Sequence, residues 1–284
     1  MRRLKLKKRL ISLSLLLVML IGVAGTLSGC GESVTKRADT QDTWSKIKKR
    51  GTVVVGLDDS FVPMGFREKS GKLEGYDIDL ARAVFKLYGI KISFQTIDWS
   101  MNATELRNGT IDLIWNGYTK NPQREKVVAF SNTYLKNKQI LVSLKKNKIN
   151  SFNDMTGKTL GAQSGSSGYE SLENNPKVLK DKIAKKTPIQ YDTFTNAFLD
   201  LNAGRIQGLL IDSVYANYYI KHEANSADYN ETPGTFQTED FAVGMRKGDK
   251  TMKRKINDGL KTLKANGTLD KINRKWFGNQ KVEN

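Results

Sequence analysis

The order of apolar and polar residues along the chain predicts short strands alternating with amphipathic helices. Apolar, β-branched runs such as 52–57 and 206–211 alternate with stretches such as 77–88, where apolar residues recur every three or four positions. This alternation is typical of an α/β fold with mainly parallel strands. The pattern restarts near Gln139, which predicts two similar halves, and therefore two lobes that face a cleft.

The first half is predicted to contain strands at 52–57, 90–97 and 111–115, helices at 77–88 and 101–107, and a helical turn after Pro122. The second half, after the restart near 139–143, is predicted to contain strands at 158–162, 206–211 and 241–245, and helices after 168, after Thr193, at 213–224 and at 249–266.

The N-terminus has the pattern of an export signal. Basic residues within 2–9 precede the apolar run 10–27, and small residues lead into Cys30. This arrangement resembles the lipobox of bacterial lipoprotein precursors, which implies a signal peptide at 1–29, lipid attachment at Cys30 and a lipid-anchored linker at 30–50, flexible from 31 to about 43. A retained membrane helix is the alternative, because the eighteen-residue run is near the shortest that spans a bilayer. Either case places the remainder outside the cytoplasm, attached to the cell membrane.

Composition narrows the function classes. The 284-residue chain carries a net charge of +18, and removal of 1–29 leaves 255 residues with a charge of +12. The lysine-rich runs lack interleaved aromatic residues, so we expect no nucleic-acid partner; a solvated face or attraction to an anionic envelope fits better. Cys30 is the single cysteine and His222 the single histidine. Disulfides and multi-histidine metal sites are therefore excluded, and we expect neither a metal nor a cofactor.

Several motifs together carry a family resemblance. They are GYDIDLA at 75–81, NGYTKNPQR at 116–124, GAQSGSSG at 161–168, LID at 210–212 and KWFG at 275–278. In order and spacing the chain resembles family 3 of the bacterial extracellular solute-binding proteins, the polar amino acid receptors of ABC importers. The resemblance implies a two-lobed periplasmic-binding-protein-like fold of type II, with the lobes joined by two crossover strands. Lobe one would comprise 51–137 and 237–279, lobe two 138–236, and a tail 280–284.

The resemblance also implies how a zwitterionic amino acid would be held. Arg124 matches the family's carboxylate-binding arginine, whose planar fork donates two parallel hydrogen bonds. Asp212 matches the residue that binds the α-ammonium group, Gly117 one whose backbone meets that group, and Thr119 one that adds hydroxyl and N–H donors. The alternatives are a surface arginine, a helix-capping aspartate and an ordinary turn glycine.

Further candidates surround the expected ligand. Ser166 and Ser167 open a helix, whose N-terminal N–H groups favour an anion, although simple N-capping is the alternative. Phe61 and Trp99 match aromatic walls, or belong to the core. Asp58 matches a side-chain contact, or caps a turn with Asp59. Gln163 is the remaining candidate.

The implied function is a monomeric, lipid-anchored receptor that captures a free polar amino acid and delivers it to the permease subunits of an ABC importer. Cystine, glutamine, arginine and histidine remain open as ligands. Glutamine receptors of this family can carry lysine at the position of Gln163 and histidine at that of Ile211, which argues against glutamine. We expect no enzymatic activity. The alternatives are a cleft enzyme resembling cyclohexadienyl dehydratase, which needs a general acid or base, and an extracellular amino acid sensor.

Overall fold

The computed structural model describes residues 33–278, which form two α/β lobes. The helices are α1 (Val34–Thr40), α2 (Trp44–Arg50), α3 (Tyr76–Lys86), α4 (Asn102–Asn108), α5 (Pro122–Glu125), α6 (Ser167–Asn174), α7 (Phe194–Asn202), α8 (Ser213–His222), α9 (Lys250–Ala265) and α10 (Thr268–Phe277). The strands are β1 (Thr52–Leu57), β2 (Ser60–Phe61), β3 (Gly65–Arg67), β4 (Leu73–Glu74), β5 (Lys91–Thr96), β6 (Leu113–Ile114), β7 (Thr119–Lys120), β8 (Ala129–Phe130), β9 (Leu135–Asn137), β10 (Gln139–Leu144), β11 (Leu160–Gln163), β12 (Ile189–Tyr191), β13 (Gly208–Asp212), β14 (Tyr229–Pro233), β15 (Glu239–Phe241) and β16 (Gly244–Met245).

Lobe one is built on a five-stranded sheet in the order β5-β1-β6-β16-β8. β1 runs parallel to β5 and β6, while β16 is antiparallel to β6 and β8. Val53, Val55 and Leu57 of β1 are buried, and α3 packs against α9 and α10 through a face that includes Val84. The β1 prediction agrees with the structure at both ends.

Lobe two has its own five-stranded sheet, in the order β12-β11-β13-β10-β14. β11 is parallel to β12 and β13, and β10 is antiparallel to β13 and β14. All of β13 is buried, as expected for a central strand covered on both faces. The mixed sheets confirm the predicted α/β class, with the antiparallel strands added by the return of the chain between the lobes.

Two strands carry the chain across between the lobes. β9 pairs antiparallel with β15, so that Asn137 lies opposite Glu239, and β15 also pairs with β7. One residue after β9 the chain enters β10 of lobe two at Gln139. Polar side chains at this junction therefore stand at the base of the cleft.

The flexibility predicted from 31 to about 43 is wrong for 34–40, which forms α1, and α1 and α2 both pack on the surface of lobe one. Ala38 and Ile47 are buried, and the side chain of Asp249 accepts hydrogen bonds from the backbone N–H and the hydroxyl of Thr43 at 2.7 and 2.6 Å. Arg107 donates to Asp39 at 2.8 Å. Most of these partners are far away in sequence, so the local composition suggested a tether. Cys30 lies outside the described residues.

The strand predicted at 241–245 is interrupted. β15 belongs to the crossover sheet and β16 to the lobe one sheet, because the chain changes sheets between Phe241 and Gly244. The closing helix matches α9, and α10 follows it after Gly267, whose φ of +74° starts a new helix direction. Among residues 33–278, no helix has the length and apolar character needed to cross a membrane.

Candidate functional site

The predicted ligand residues lie at strand ends and helix starts where the two lobes meet. Nε2 of Gln163, at the end of β11, donates to Oδ2 of Asp58, just after β1, at 2.8 Å. The hydroxyls of Thr119 and Ser167 lie 3.1 Å apart across the same cleft. The structure therefore shows the lobes closed on one another, with residues from both halves brought together.

Arg124 is buried where the two lobes meet rather than lying on the surface. Asn121 caps α5 by accepting the backbone N–H of Arg124 at 2.9 Å, which points the arginine side chain toward lobe two. The guanidinium donates from Nη1 to the carbonyl of Thr119 at 3.0 Å and from Nη2 to that of Gly165 at 2.9 Å. Its Nε donates to Glu170 at 3.0 Å.

The arginine is also fixed from its face. The ring of Tyr118 lies 4.5 Å from its Cζ, and only 6 % of Arg124 is exposed. The surface-arginine alternative is therefore wrong. A buried guanidinium with N–H groups in excess of its three acceptors is suited to binding a carboxylate.

Asp212 ends β13 and faces a cluster of polar side chains at the junction of the lobes. Its Oδ1 accepts from Nδ2 of Asn137 and, at 2.8 Å, from Nε2 of Gln139. Its side chain makes no capping hydrogen bond to α8, so the capping alternative does not account for it. Burial, and then the charge of Glu239, raise the pKa of Asp212 to about 8.

Sequence reasoning missed Glu239, on the second crossover strand. Its Oε2 accepts from the hydroxyls of Thr119 and Ser167 at 3.1 and 3.2 Å, and from Asn137 and Gln139 at 2.8 and 3.0 Å. The alternation along β15 was an available signal, because Glu239 shares its side of the strand with the buried Phe241. A carboxylate on the inward side of a strand needs partners, and these four donors supply them.

Glu170, also absent from the sequence prediction, joins the lobes from the first turns of α6. Besides Arg124, its carboxylate accepts a hydrogen bond from Nδ2 of Asn121 at 2.6 Å. Ser166 caps α6 by accepting the N–H of Tyr169 at 3.1 Å, so its side chain acts as an N-cap. Ser167 instead turns into the cleft.

Gly117 is positioned by a buried acid. Its N–H donates to Oδ2 of Asp77 at 2.7 Å, so its carbonyl is the group left for an ammonium ligand. Its φ is +57°, and an added Cβ would lie 2.9 Å from the ring of Phe61. Burial raises the pKa of Asp77 to about 7, partly offset by hydrogen bonds from Gly117 and Tyr134.

Aromatic rings and Asp58 also lie where the two lobes meet. The ring of Phe61 lies 5.4 Å from that of Tyr215 and 5.9 Å from that of Phe194, both in lobe two. Trp99 is 8 % exposed and packs edge-on to Tyr118. Asp58 does cap the local turn, by accepting from Ser60, but it also meets Gln163, and burial raises its pKa.

Two cavities flank the junction of the lobes. One of about 520 Å³ lies between α5, α6 and the second crossover and reaches Thr119 and Glu239. The other, about 630 Å³, lies between α8 and α10 and includes none of the ligand residues predicted from the sequence. The first therefore belongs to the candidate site.

The fold and cleft are those of a two-lobed α/β protein in which buried charged side chains of both lobes meet. Residues 53–279 match the profile of bacterial extracellular solute-binding proteins, family 3, and the chain belongs to that family. The L-cystine-binding protein TcyJ of Escherichia coli (strain K12) is 29% identical over 261 residues, covering 91% of this chain and 94% of TcyJ.

Solved structures show the same architecture. An ABC uptake transporter substrate-binding protein from Streptococcus pneumoniae, crystallised with bound histidine, has a TM-score of 0.84 and 50% identity over 86% of this chain and 99% of its own. An ancestral amino acid-binding protein described as a precursor of cyclohexadienyl dehydratase has a TM-score of 0.74 and 32% identity, covering 83% of this chain and 100% of its own. The first of these proteins was crystallised with an amino acid, and the second is described both as an amino acid-binding protein and as the precursor of an enzyme.

Proposed function

We propose that this chain is the extracytoplasmic receptor of an ABC importer for a polar amino acid. The observation that carries the proposal is the pairing of a buried cation, Arg124 of lobe one, with a buried acid, Asp212 of lobe two, in one closed cleft. A zwitterion carries one charge of each sign, so it satisfies both groups at once. A ligand with both charges therefore offsets the cost of holding these two groups away from water in the closed cleft.

The family supports the same function. Similar proteins include a cystine-binding and a histidine-bound protein, which supports a polar amino acid as the ligand. The cleft adds Asp58 and Gln163, which would offer a polar side chain an acceptor and an amide. Cystine, glutamine, arginine and histidine stay the candidate ligands.

Attachment to the membrane through Cys30 is part of the proposal. The lipobox-like sequence before Cys30 supports it. Labelling of the expressed protein with a palmitate analogue tests this directly. Incorporation into the native chain and its loss in Cys30→Ala supports the anchor, whereas equal labelling of both chains contradicts it.

A thermal-shift screen of the twenty amino acids and cystine, followed by calorimetry, tests the receptor function. A ligand that binds the folded state alone stabilises it by about 2.7 kcal/mol at 100 times its Kd. Arg124→Ala is expected to weaken binding of the selected amino acid by about 2–5 kcal/mol, because the ligand carboxylate is left buried and unpaired. Arg82→Ala is the control, since Arg82 is an exposed arginine of lobe one that packs over Phe94. Full affinity in Arg124→Ala contradicts the proposal.

A cleft enzyme is the second candidate, and the raised pKa of Asp212 favours it, because a buried carboxylic acid is able to donate a proton. The similarity of this chain to an ancestral protein described as a dehydratase precursor also supports an enzyme. Incubation with prephenate-like substrates distinguishes the two: turnover that is lost in Asp212→Asn supports the enzyme, and amino acid binding without turnover supports the receptor.

A further inference from the structure

Asp212 and Glu239 place two carboxylates next to one another at the base of the cleft. Nδ2 of Asn137 donates to both of them, with 2.8 Å to Glu239. Nε2 of Gln139 also donates to both, at 2.8 Å to Asp212 and 3.0 Å to Glu239. Since one oxygen of each acid binds the same two nitrogens, these oxygens are close neighbours. Both residues are buried, at 5 % and 8 % exposed.

The orientation of the amide donors is determined by the acids. A flipped Gln139 would turn its carbonyl oxygen toward two carboxylates, so Nε2 has to face them. Its Oε1 then lies without a hydrogen-bond partner, beside Gly168, where an added Cβ would come within 2.5 Å of it. The glycine thus leaves room for the amide to serve both carboxylates.

The surrounding charges do not neutralise the pair. The other groups that bind Glu239 are the neutral hydroxyls of Thr119 and Ser167. The cation that acts on Asp212 is Arg124 on α5, and its Nε is already bound to Glu170 on α6. One cation already matched by one anion thus faces two acids. Adjacent buried carboxylates that lack a cation of their own do not both ionise without a large cost.

We propose that Asp212 and Glu239 together form the ammonium site, that they hold one proton in the ligand-free protein, and that this proton passes to solvent when the ligand's ammonium group enters. The inference rests on the proposed function, because the ammonium group is that of the amino acid. The ammonium cation takes over the role of the proton, so the pair carries two negative charges in the complex and one without ligand.

Binding is then linked to pH with a definite sign. Burial and the neighbouring Glu239 raise the pKa of Asp212, so the ligand-free pair retains its proton near neutral pH. Loss of one proton on binding makes the association constant rise by up to tenfold for each pH unit between about 6 and 8. The ligand itself must keep its charge over this range, which L-arginine does; L-glutamine serves where arginine gives no binding heat.

Calorimetry in buffers of different ionisation enthalpy counts the protons released. For the native protein we expect a release approaching one proton at pH 6 and 7, falling at pH 8. Glu239→Gln retains an oxygen acceptor and removes the second charge of the pair, so proton release should fall and the affinity should depend less steeply on pH. Glu231→Gln, on an exposed position of β14, is the control and should behave as the native protein.

Two outcomes overturn the inference. One is a binding heat that is the same in every buffer for the native protein. The other is unchanged proton release in Glu239→Gln, which would assign the proton to Asp212 alone or to another buried acid such as Asp77. Should Glu239→Gln fail to fold, Asp212→Asn takes its place in both measurements.

Infrared spectroscopy of the ligand-free protein keeps this inference separate from the proposed function. A protonated-carboxyl C=O band that is lost in Glu239→Gln supports the shared proton, even where no amino acid binds and the receptor function has failed. The shared proton is contradicted if this band is unchanged in Glu239→Gln. It is also contradicted if the native protein shows no such band at pH 6.

Discussion

Glu170→Ala should open the lobes, because Glu170 is held by two donors of lobe one while belonging to lobe two. Its carboxylate accepts from Nε of Arg124 at 3.0 Å and from Nδ2 of Asn121 at 2.6 Å. A hydrogen bond to a charged group contributes about 1.5–3 kcal/mol. Since 24% of the Glu170 side chain is exposed, solvent screening lowers the joint contribution to about 2 kcal/mol. The ratio of closed to open protein should fall about 30-fold.

Pulsed electron paramagnetic resonance measures this change. Spin labels at Leu87 and Leu199, which are 45% and 60% exposed on opposite lobes, report the distance between them. The labels are attached to cysteines introduced at these two positions. A soluble chain beginning at Gly31 lacks Cys30, so it has no other cysteine that would take a label. We expect a larger open fraction and, for a ligand that selects the closed form, an affinity up to about 30-fold weaker, mainly through faster release.

Glu173→Ala is the matched control, because Glu173 lies on the same helix but pairs with Lys180 within lobe two. It should leave both the distance distribution and the affinity unchanged. An opposite result for Glu170→Ala, with tighter binding, would refute this reasoning. It would mean that Glu170 competes with the ligand carboxylate for Arg124 rather than holding the closed form.

Three further substitutions test the supports of the site. Gly117→Ala should lower the free energy of unfolding in urea by about 2 kcal/mol, because φ is +57° and the new Cβ meets the ring of Phe61; an unchanged midpoint contradicts this. The pKa of Asp77 is raised to about 7, so its contribution to native stability is present below about pH 4 and is lost as pH rises through 7. The unfolding free energy of Asp77→Asn should therefore rise relative to that of the native protein as pH goes from 4 to 8, by up to about 4 kcal/mol. A difference between the two proteins that stays the same at every pH contradicts this. Asp249→Ala should speed hydrogen exchange at 34–50, since it removes both bonds to Thr43, and unaltered exchange there would show that other contacts hold α1 and α2.

The sequence predicted the fold well where local pattern and tertiary structure agree. The first strand is apolar at inward positions and ends at Leu57, and the structure has the same strand. Prediction failed where distant partners decide the structure. The segment 34–50 becomes helical on lobe one through Asp249 and Arg107, and neither contact leaves a mark in the local composition.

The candidate site shows the same division. Arg124, Thr119, Ser167 and Asp212 were found because motifs mark them, and the structure brings them into one cleft. Glu239 and Glu170 lie outside those motifs, yet they complete the polar network across it. Their roles depend on closure of the lobes, which sets distances between residues up to 120 positions apart.

A crystal structure of the protein with the amino acid that stabilises it most tests the central claim most directly. The account predicts the ligand between the lobes, with its carboxylate on the guanidinium of Arg124 and its ammonium group on Asp212 and Glu239. An amino acid bound elsewhere on the surface, or bound in the cleft with these charges reversed, would contradict it.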